Sequence, residues 1–231
     1  MKPDQFKLNP RWNDLELVTE FAAREPDHRL RRIVERLDDP QSLRFLDLGC
    51  AAGRNALFLA ERNIEVHATD LSQPMVEETI RRLKNVVGNL AEKRVHLLPM
   101  TDLGIFSDSF FDFLIALGIH QQAASLEEWD LAVRESARVV RSDGLMLVAH
   151  FGVGTDLTGH SGNALAGPHL YEIREGHPSV LFAADELDAR LADHGFEAIE
   201  PTETVTRPHE GGGQRVTLNG FYRKARSVRM N

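Results

Sequence analysis

Apolar positions along this chain switch repeatedly between a helical spacing and short, nearly continuous or alternating runs, and the switches mark out its elements. Leu15, Val18, Phe21 and Ala22 form one helical stripe, Leu30, Ile33, Val34 and Leu37 a second, and Pro26 separates them. Two helices are therefore expected over residues 12–37. The turn cluster Asp38-Asp39-Pro40-Gln41-Ser42 leads into a strand at 43–48 and a helix at 54–62. Residues 64–70 alternate as a second strand, and Ser72, as N-cap, with Pro74 in the first turn, opens a helix running to about Leu90. Further strands are expected at 95–100, 111–117 and 145–151, with a helix at 126–140 and a turn at Arg141-Ser142-Asp143-Gly144. Residues 111–117 are apolar nearly throughout, as a strand covered on both faces requires.

The rhythm breaks after Phe151. Residues 152–181 are rich in Gly, Thr, Ser and His without a clear period, and read as a lid, since long loops in compact domains are commonly functional or mobile. A helix at 186–194 stops at Gly195, and β-prone segments at 196–207 and 214–223, joined through Gly211-Gly212-Gly213, suggest an antiparallel pair. Residues 225–231 read as a loose tail. The sum is an α/β, Rossmann-like doubly wound sheet, mostly parallel, of about seven strands with helices on both faces. One domain is expected over 1–231: a helical cover (1–42), a βαβ core (43–151), the lid (152–181) and a C-terminal helix and strand pair (182–225).

Composition narrows the class. Among 231 residues, 42% are hydrophobic and 27% charged, which excludes a disordered chain. No run approaches the roughly 20 apolar residues of a membrane span, and Met1-Lys2-Pro3-Asp4-Gln5 has no apolar signal core, so a cytoplasmic protein is expected. The single cysteine, Cys50, cannot form an internal disulfide, which fits a reducing compartment. A net charge of −8 argues against nucleic acid as a partner. The basic runs at Arg29, Arg31 and Arg32 and at Arg81 and Arg82 alternate with apolar residues at helical spacing and read as solvated helix faces.

The chemistry concentrates where the first strand ends. Asp47-Leu48-Gly49-Cys50-Ala51-Ala52-Gly53 joins strand to helix, and a glycine turn at this junction offers unpaired helix N–H groups and close backbone approach to a ligand. An ordinary turn with two glycines is the plain alternative. Asp70 ends the second strand about twenty residues on, where nucleotide sites of α/β sheets place a carboxylate on ribose hydroxyls.

With these motifs, the Thr101-Asp102-Leu103 triplet and the Phe106 to Asp112 entry into the fourth strand, the chain resembles a class I S-adenosylmethionine-dependent methyltransferase over residues 43–151. Within that class the chain is similar to the type 11, 12 and 25 groups, and its Gly53-Arg54-Asn55-Ala56 and Asp70-Leu71-Ser72 runs resemble the tellurite-resistance methyltransferases. The resemblance implies that Gly49, Cys50 and Ala51 pass the methionine part of the cofactor, with Asp47 near its amino group, and that Gly53 also belongs to the cofactor site. Asp70 would hold the ribose, Asp102 would accept from the adenine amino group with the Leu103 N–H on the ring, Leu117 and Gly118 would line the methionine end, and Leu71 and Thr101 would also belong to the cofactor site. The product would be S-adenosylhomocysteine. Ala51 stands where the family commonly has a glycine. The implied activity is methyl transfer to an oxygen, nitrogen or other heteroatom of a small molecule, by a monomer or homodimer. The alternatives are a nicotinamide-dependent oxidoreductase, whose Gly-x-Gly-x-x-Gly is met here only at Gly49, and a cofactor-binding protein without catalysis.

His120 follows the fourth strand and His150 ends the fifth, which makes them the candidate general bases for an acceptor that must lose a proton. His160, His169 and His177 lie in the lid without ligand spacing, and no metal is expected. Cys50 reads as a small packed residue rather than a nucleophile, and Trp12 and Phe21 either pack on the core or cover the acceptor pocket.

Overall fold

The computed structural model describes residues 9–157, 163–174, 176–210 and 212–226. His160 lies outside them, as do Gly211 and residues 227–231 of the expected tail. The chain divides into two compact units, Met1–Leu103 and Gly104–Asn231.

In the first unit, α1 (Leu15–Ala23) and α2 (His28–Val34) precede the sheet, separated at Pro26 as the pattern predicts. Asp14 and Asp27 cap them, their carboxylates accepting N–H groups of the first turns. Strands β1 (Arg44–Leu48), β2 (Glu65–Asp70) and β3 (Val95–Leu97) run parallel in that order, with Asp47 opposite Ala68 and Asp70 opposite Leu97. The crossovers are α3 (Arg54–Ala60) and α4 (Gln73–Val87), followed by the short α5 (Ala91–Arg94). Phe45, Leu46, Leu48, Leu59, Val66, Ala68 and Met75 are buried between sheet and helices. Each large apolar side chain among them contributes roughly 1.5–3 kcal/mol of burial. β3 ends three residues earlier than expected, at Leu97.

In the second unit, β4 (Phe111–Leu117) pairs parallel with β5 (Val140–Phe151), and α6 (Leu126–Val139) crosses between them. The turn expected at residues 141–144 is instead an irregularity inside β5: Asp143 takes φ +61° and the register with β4 shifts between Phe111 and Phe113. After α7 (Ala184–Asp193) come β9 (Phe196–Ala198), β10 (Glu203–Pro208) and β11 (Gln214–Lys224). β11 is antiparallel to β5, and β10 and β9 are antiparallel to β11, which realises the expected antiparallel end.

The presumed lid is more regular than its composition suggested. β6 (Asn163–Ala164), β7 (Leu170–Arg174) and β8 (His177–Val180) form an antiparallel three-stranded sheet. Leu157, Ile173 and Leu181 give it a small core, against which Phe151 and Tyr171 pack. Parallel βαβ units closed by an antiparallel C-terminal pair make this a Rossmann-like α/β fold.

Candidate cofactor site

The glycine loop is built by its neighbours. Gly49 and Cys50 both donate their N–H to the Thr69 carbonyl, at 2.8 and 2.9 Å, which holds the loop against the end of β2. Gly53 begins α3 from a left-handed conformation (φ +76°), and a Cβ there would fall 2.7 Å from Thr79 Cγ2. Both the backbone and the space therefore require glycine.

Ala51 also has a left-handed backbone, at φ +48°, which costs a residue with a Cβ roughly 1 kcal/mol or more. Two bonds hold it. Its N–H donates to Asp70 Oδ2 at 2.8 Å, and its carbonyl accepts from Thr79 Oγ1 at 2.8 Å. Thr79 went unread in the sequence, where it looks like any small residue on the apolar face of a helix.

Asp70 accepts from the Ser72 N–H on its other oxygen, at 2.9 Å. Burial raises its pKa, and the N–H groups of Ser72, Ala51 and Leu71 oppose that rise. Asp47, 2% exposed, is the more strained acid. Burial pushes its pKa to about 7, against the pull of Arg54, the Ala56 N–H and the Asn55 side chain, while Asp70 adds to the rise. Its Oδ2 has no hydrogen-bond partner, and neither has Thr69 Oγ1 nor Thr101 Oγ1. Buried polar atoms are ordinarily paired. These three lie at the carboxyl ends of β1 and β2 and just beyond β3, where a cationic or hydroxyl-bearing ligand would satisfy them. Asp102 is exposed, with its N–H on the Pro99 carbonyl, and Leu103 is buried.

Cys50 is buried, and desolvation together with Asp70 and Asp47 raises its thiol pKa, which removes it as a nucleophile. Trp12 and Phe21 rest, half-buried, on a cluster of Leu17, Val18, Ala52 and Met75, with Ala51 packed beside them.

In the second unit, Leu117 ends β4 and Gly118 follows at φ +86°, its N–H on the Ala149 carbonyl. The expectation of general bases at His120 and His150 meets a contrary geometry. His150 is fully buried; its Nε2 accepts from Trp129 Nε1 at 3.1 Å, which leaves Nδ1–H to donate to the Phe151 carbonyl at 2.8 Å. The Ser136 hydroxyl donates to the Ala132 carbonyl, so His120 Nε2–H donates to Ser136 Oγ at 3.2 Å. Desolvation lowers the pKa of His120 to about 3, with His150 and His194 adding to the effect, and that of His150 to about 4. Such weakly basic imidazoles are poor proton acceptors near neutral pH. Both are core residues here. Their neighbour Gln121, unremarkable in the sequence, is buried with Oε1 unpaired. His169 pairs with Glu186 at 3.1 Å, and no group of three or more His, Cys, Asp or Glu side chains among the described residues could hold a metal ion. No helix among them is long and apolar enough to cross a membrane.

The parallel βαβ order, the glycine turn and the acid closing β2 are arranged as in Rossmann-like cofactor-binding domains, and S-adenosylmethionine-dependent methyltransferases are what the chain is similar to. Residues 46–148 match the family model described as the methyltransferase domain. A malonyl-[acyl-carrier protein] O-methyltransferase of Geobacter sulfurreducens is 28% identical over 181 residues, covering 74% of this chain and 64% of that protein. The chain thus spans a little less than two thirds of that relative. A SAM-dependent methyltransferase structure from Methanosarcina mazei superimposes with a TM-score of 0.65 at 20% identity, covering 85% of this chain and 98% of that one. The 1,6-didemethyltoxoflavin N1-methyltransferase of Burkholderia thailandensis, solved with 1,6-didemethyltoxoflavin and S-adenosylhomocysteine bound, gives 0.63 at 19% identity, covering 94% and 81%.

Proposed function

We propose that this chain binds S-adenosylmethionine at the glycine loop and transfers its methyl group to a heteroatom of a small molecule. The observation that carries the reading is Asp47: a buried carboxylate with one oxygen unpaired and a pKa near 7 fits a ligand that brings an ammonium group. Asp70, preorganised by the Ala51 and Ser72 N–H groups, keeps lone pairs for ribose hydroxyls. Gly49, Cys50, Ala51 and Gly53 would give the methionine part backbone contact, Leu71 the ribose edge, and Thr101, Asp102 and Leu103 the adenine. Leu117 and Gly118 would line the methionine end.

When bound, the cofactor supplies a methyl group on a sulfonium, whose departure leaves a neutral thioether. The protein's part is then to orient the acceptor's lone pair and exclude water, effects together worth several kcal/mol of barrier. With His120 and His150 committed to the core, the acceptor that fits presents a lone pair near neutral pH without needing a strong base, as a carboxylate, an acidic phenol or an aromatic nitrogen does. The relatives' names, an O-methyltransferase and an N1-methyltransferase, support a heteroatom acceptor.

Calorimetry tests the cofactor half. S-adenosylhomocysteine should bind in the micromolar range and NAD should not, and Asp70→Ala should weaken binding more than tenfold. Preference for NAD would overturn the reading, and unchanged affinity in the variant would remove Asp70 from the ribose site.

A further inference from the structure

Both carboxylate oxygens of Asp70 lead, through a single residue each, to the N-terminal segment. Oδ1 accepts from the Ser72 N–H, and the buried hydroxyl of Ser72 donates to the Trp12 carbonyl at 2.7 Å and lies 3.0 Å from Asn13 Oδ1. Oδ2 accepts from the Ala51 N–H, and Ala51 packs on the cluster that Leu17 and Val18 form with Ala52 and Met75. Trp12 and Phe21 rest on the same cluster, their rings edge to face at 5.8 Å. The 3-10 turn Pro10–Asn13 and α1 thus make a strap laid over the glycine loop and the first turn of α4.

The strap depends on this seat. α1 has nine residues, Leu17 and Val18 are its buried ones, and Leu15 is 70% exposed. A helix this short is not stable by itself in water, so its order comes from docking. Ser72 also caps α4, but that bond, from the Met75 N–H, is long at 3.4 Å. The hydroxyl is spent chiefly on the strap.

We propose that Ser72 is a positioning residue that couples a ligand on Asp70 to the seating of residues 10–23, which form the closing wall of the cofactor site. The inference rests on the cofactor reading above. A ligand that bonds Asp70 fixes the carboxylate holding Ser72 and Ala51, and those are residues on which the strap docks. The docked state therefore binds the ligand more tightly than the undocked one, and by linkage the ligand favours docking by the same factor.

Hydrogen exchange of the full chain, with and without saturating S-adenosylhomocysteine, tests the coupling in wild type, Ser72→Ala and Val18→Ala. The ligand should slow exchange across residues 10–23 at least fivefold in wild type. Both variants should speed exchange there without ligand and weaken ligand binding three- to tenfold, although Val18 makes none of the Asp70 hydrogen bonds. If Ser72→Ala speeds exchange only in the first turns of α4, the residue is a helix cap and the coupling is wrong. Ligand that binds without protecting residues 10–23 also overturns it. Failure of wild type to bind at all has a different signature, and removes the cofactor reading together with the coupling built on it.

Discussion

The Ala51 N–H donates to Asp70 Oδ2 at 2.8 Å, so the acid closing β2 holds in place the one residue of the loop that departs from the glycine pattern. Ala51 keeps the left-handed backbone of the glycine it replaces, at φ +48°. Substitution Ala51→Gly should therefore relieve strain worth about 1 kcal/mol, partly offset by the greater freedom of glycine in the unfolded chain. The expected outcome is a gain of about 0.5 kcal/mol in urea unfolding, with binding of S-adenosylhomocysteine unchanged within twofold.

Gly53 should behave oppositely. Its positive φ penalises alanine, and so does the 2.7 Å that would separate an added Cβ from Thr79 Cγ2. Left-handed strain and overpacking together predict a loss of about 2–4 kcal/mol for Gly53→Ala. Adding Thr79→Ser to that variant removes the closest clashing atom, the methyl, while the hydroxyl at 2.8 Å stays, so it should return part of the crowding loss in the same unfolding measurement.

These loop positions also show what the sequence could carry. The βαβ order was legible because β1 and β4 are apolar runs buried along most of their length, and because Pro26, Ser72 and the glycines punctuate the helices by local chemistry. Asp70 was legible by its distance from the loop. Thr79 and Ser72's grip on Trp12 were not, because each joins residues distant in the chain through a single hydroxyl. The strands between 163 and 180 were hidden for another reason: they are two, five and four residues long, broken by Gly167, Pro168 and Gly176, and their pairing is antiparallel and local, with little periodicity to read. For His120 and His150 the strand-end position was read correctly, while their burial against Trp129 and Ser136 depends on packing that no spacing reveals.

Asp47 predicts a pH dependence. Its folded pKa, about 7, lies above the unfolded value near 3.9, so ionisation is resisted by the fold. The contribution to stability is whole below about pH 4 and is lost progressively as pH rises through 7. Asp47→Asn should thus be more stable than wild type at pH 8, by of the order of 2 kcal/mol, with the gap closing by pH 4. Binding of S-adenosylhomocysteine should weaken in wild type as pH falls from 8 to 6, since the proton on Asp47 competes with the ligand's ammonium. The variant should bind at least tenfold more weakly and lose that slope, and a calorimetric titration series across pH reads both.

His150 should prove to be a stability residue. Removing its side chain leaves a cavity and strands the Trp129 Nε1–H in the core, so His150→Ala should cost about 3–5 kcal/mol. His150→Gln offers Trp129 an acceptor again and should recover part of that loss. The sign of the pH effect follows from a folded pKa of about 4 against an unfolded value near 6.5. Stability from the neutral ring is present above pH 6.5 and lost as pH falls towards 4. The wild-type melting temperature should therefore fall more steeply than that of His150→Gln between pH 6.5 and 4. S-adenosylhomocysteine affinity should stay unchanged in the Gln variant, because His150 is fully buried and its ring is bonded to Trp129 Nε1 and the Phe151 carbonyl, neither of which is proposed to bind the ligand. A turnover pH profile that keeps its wild-type midpoint in His150→Gln would complete the assignment, since a general base at this position would carry that midpoint away with it.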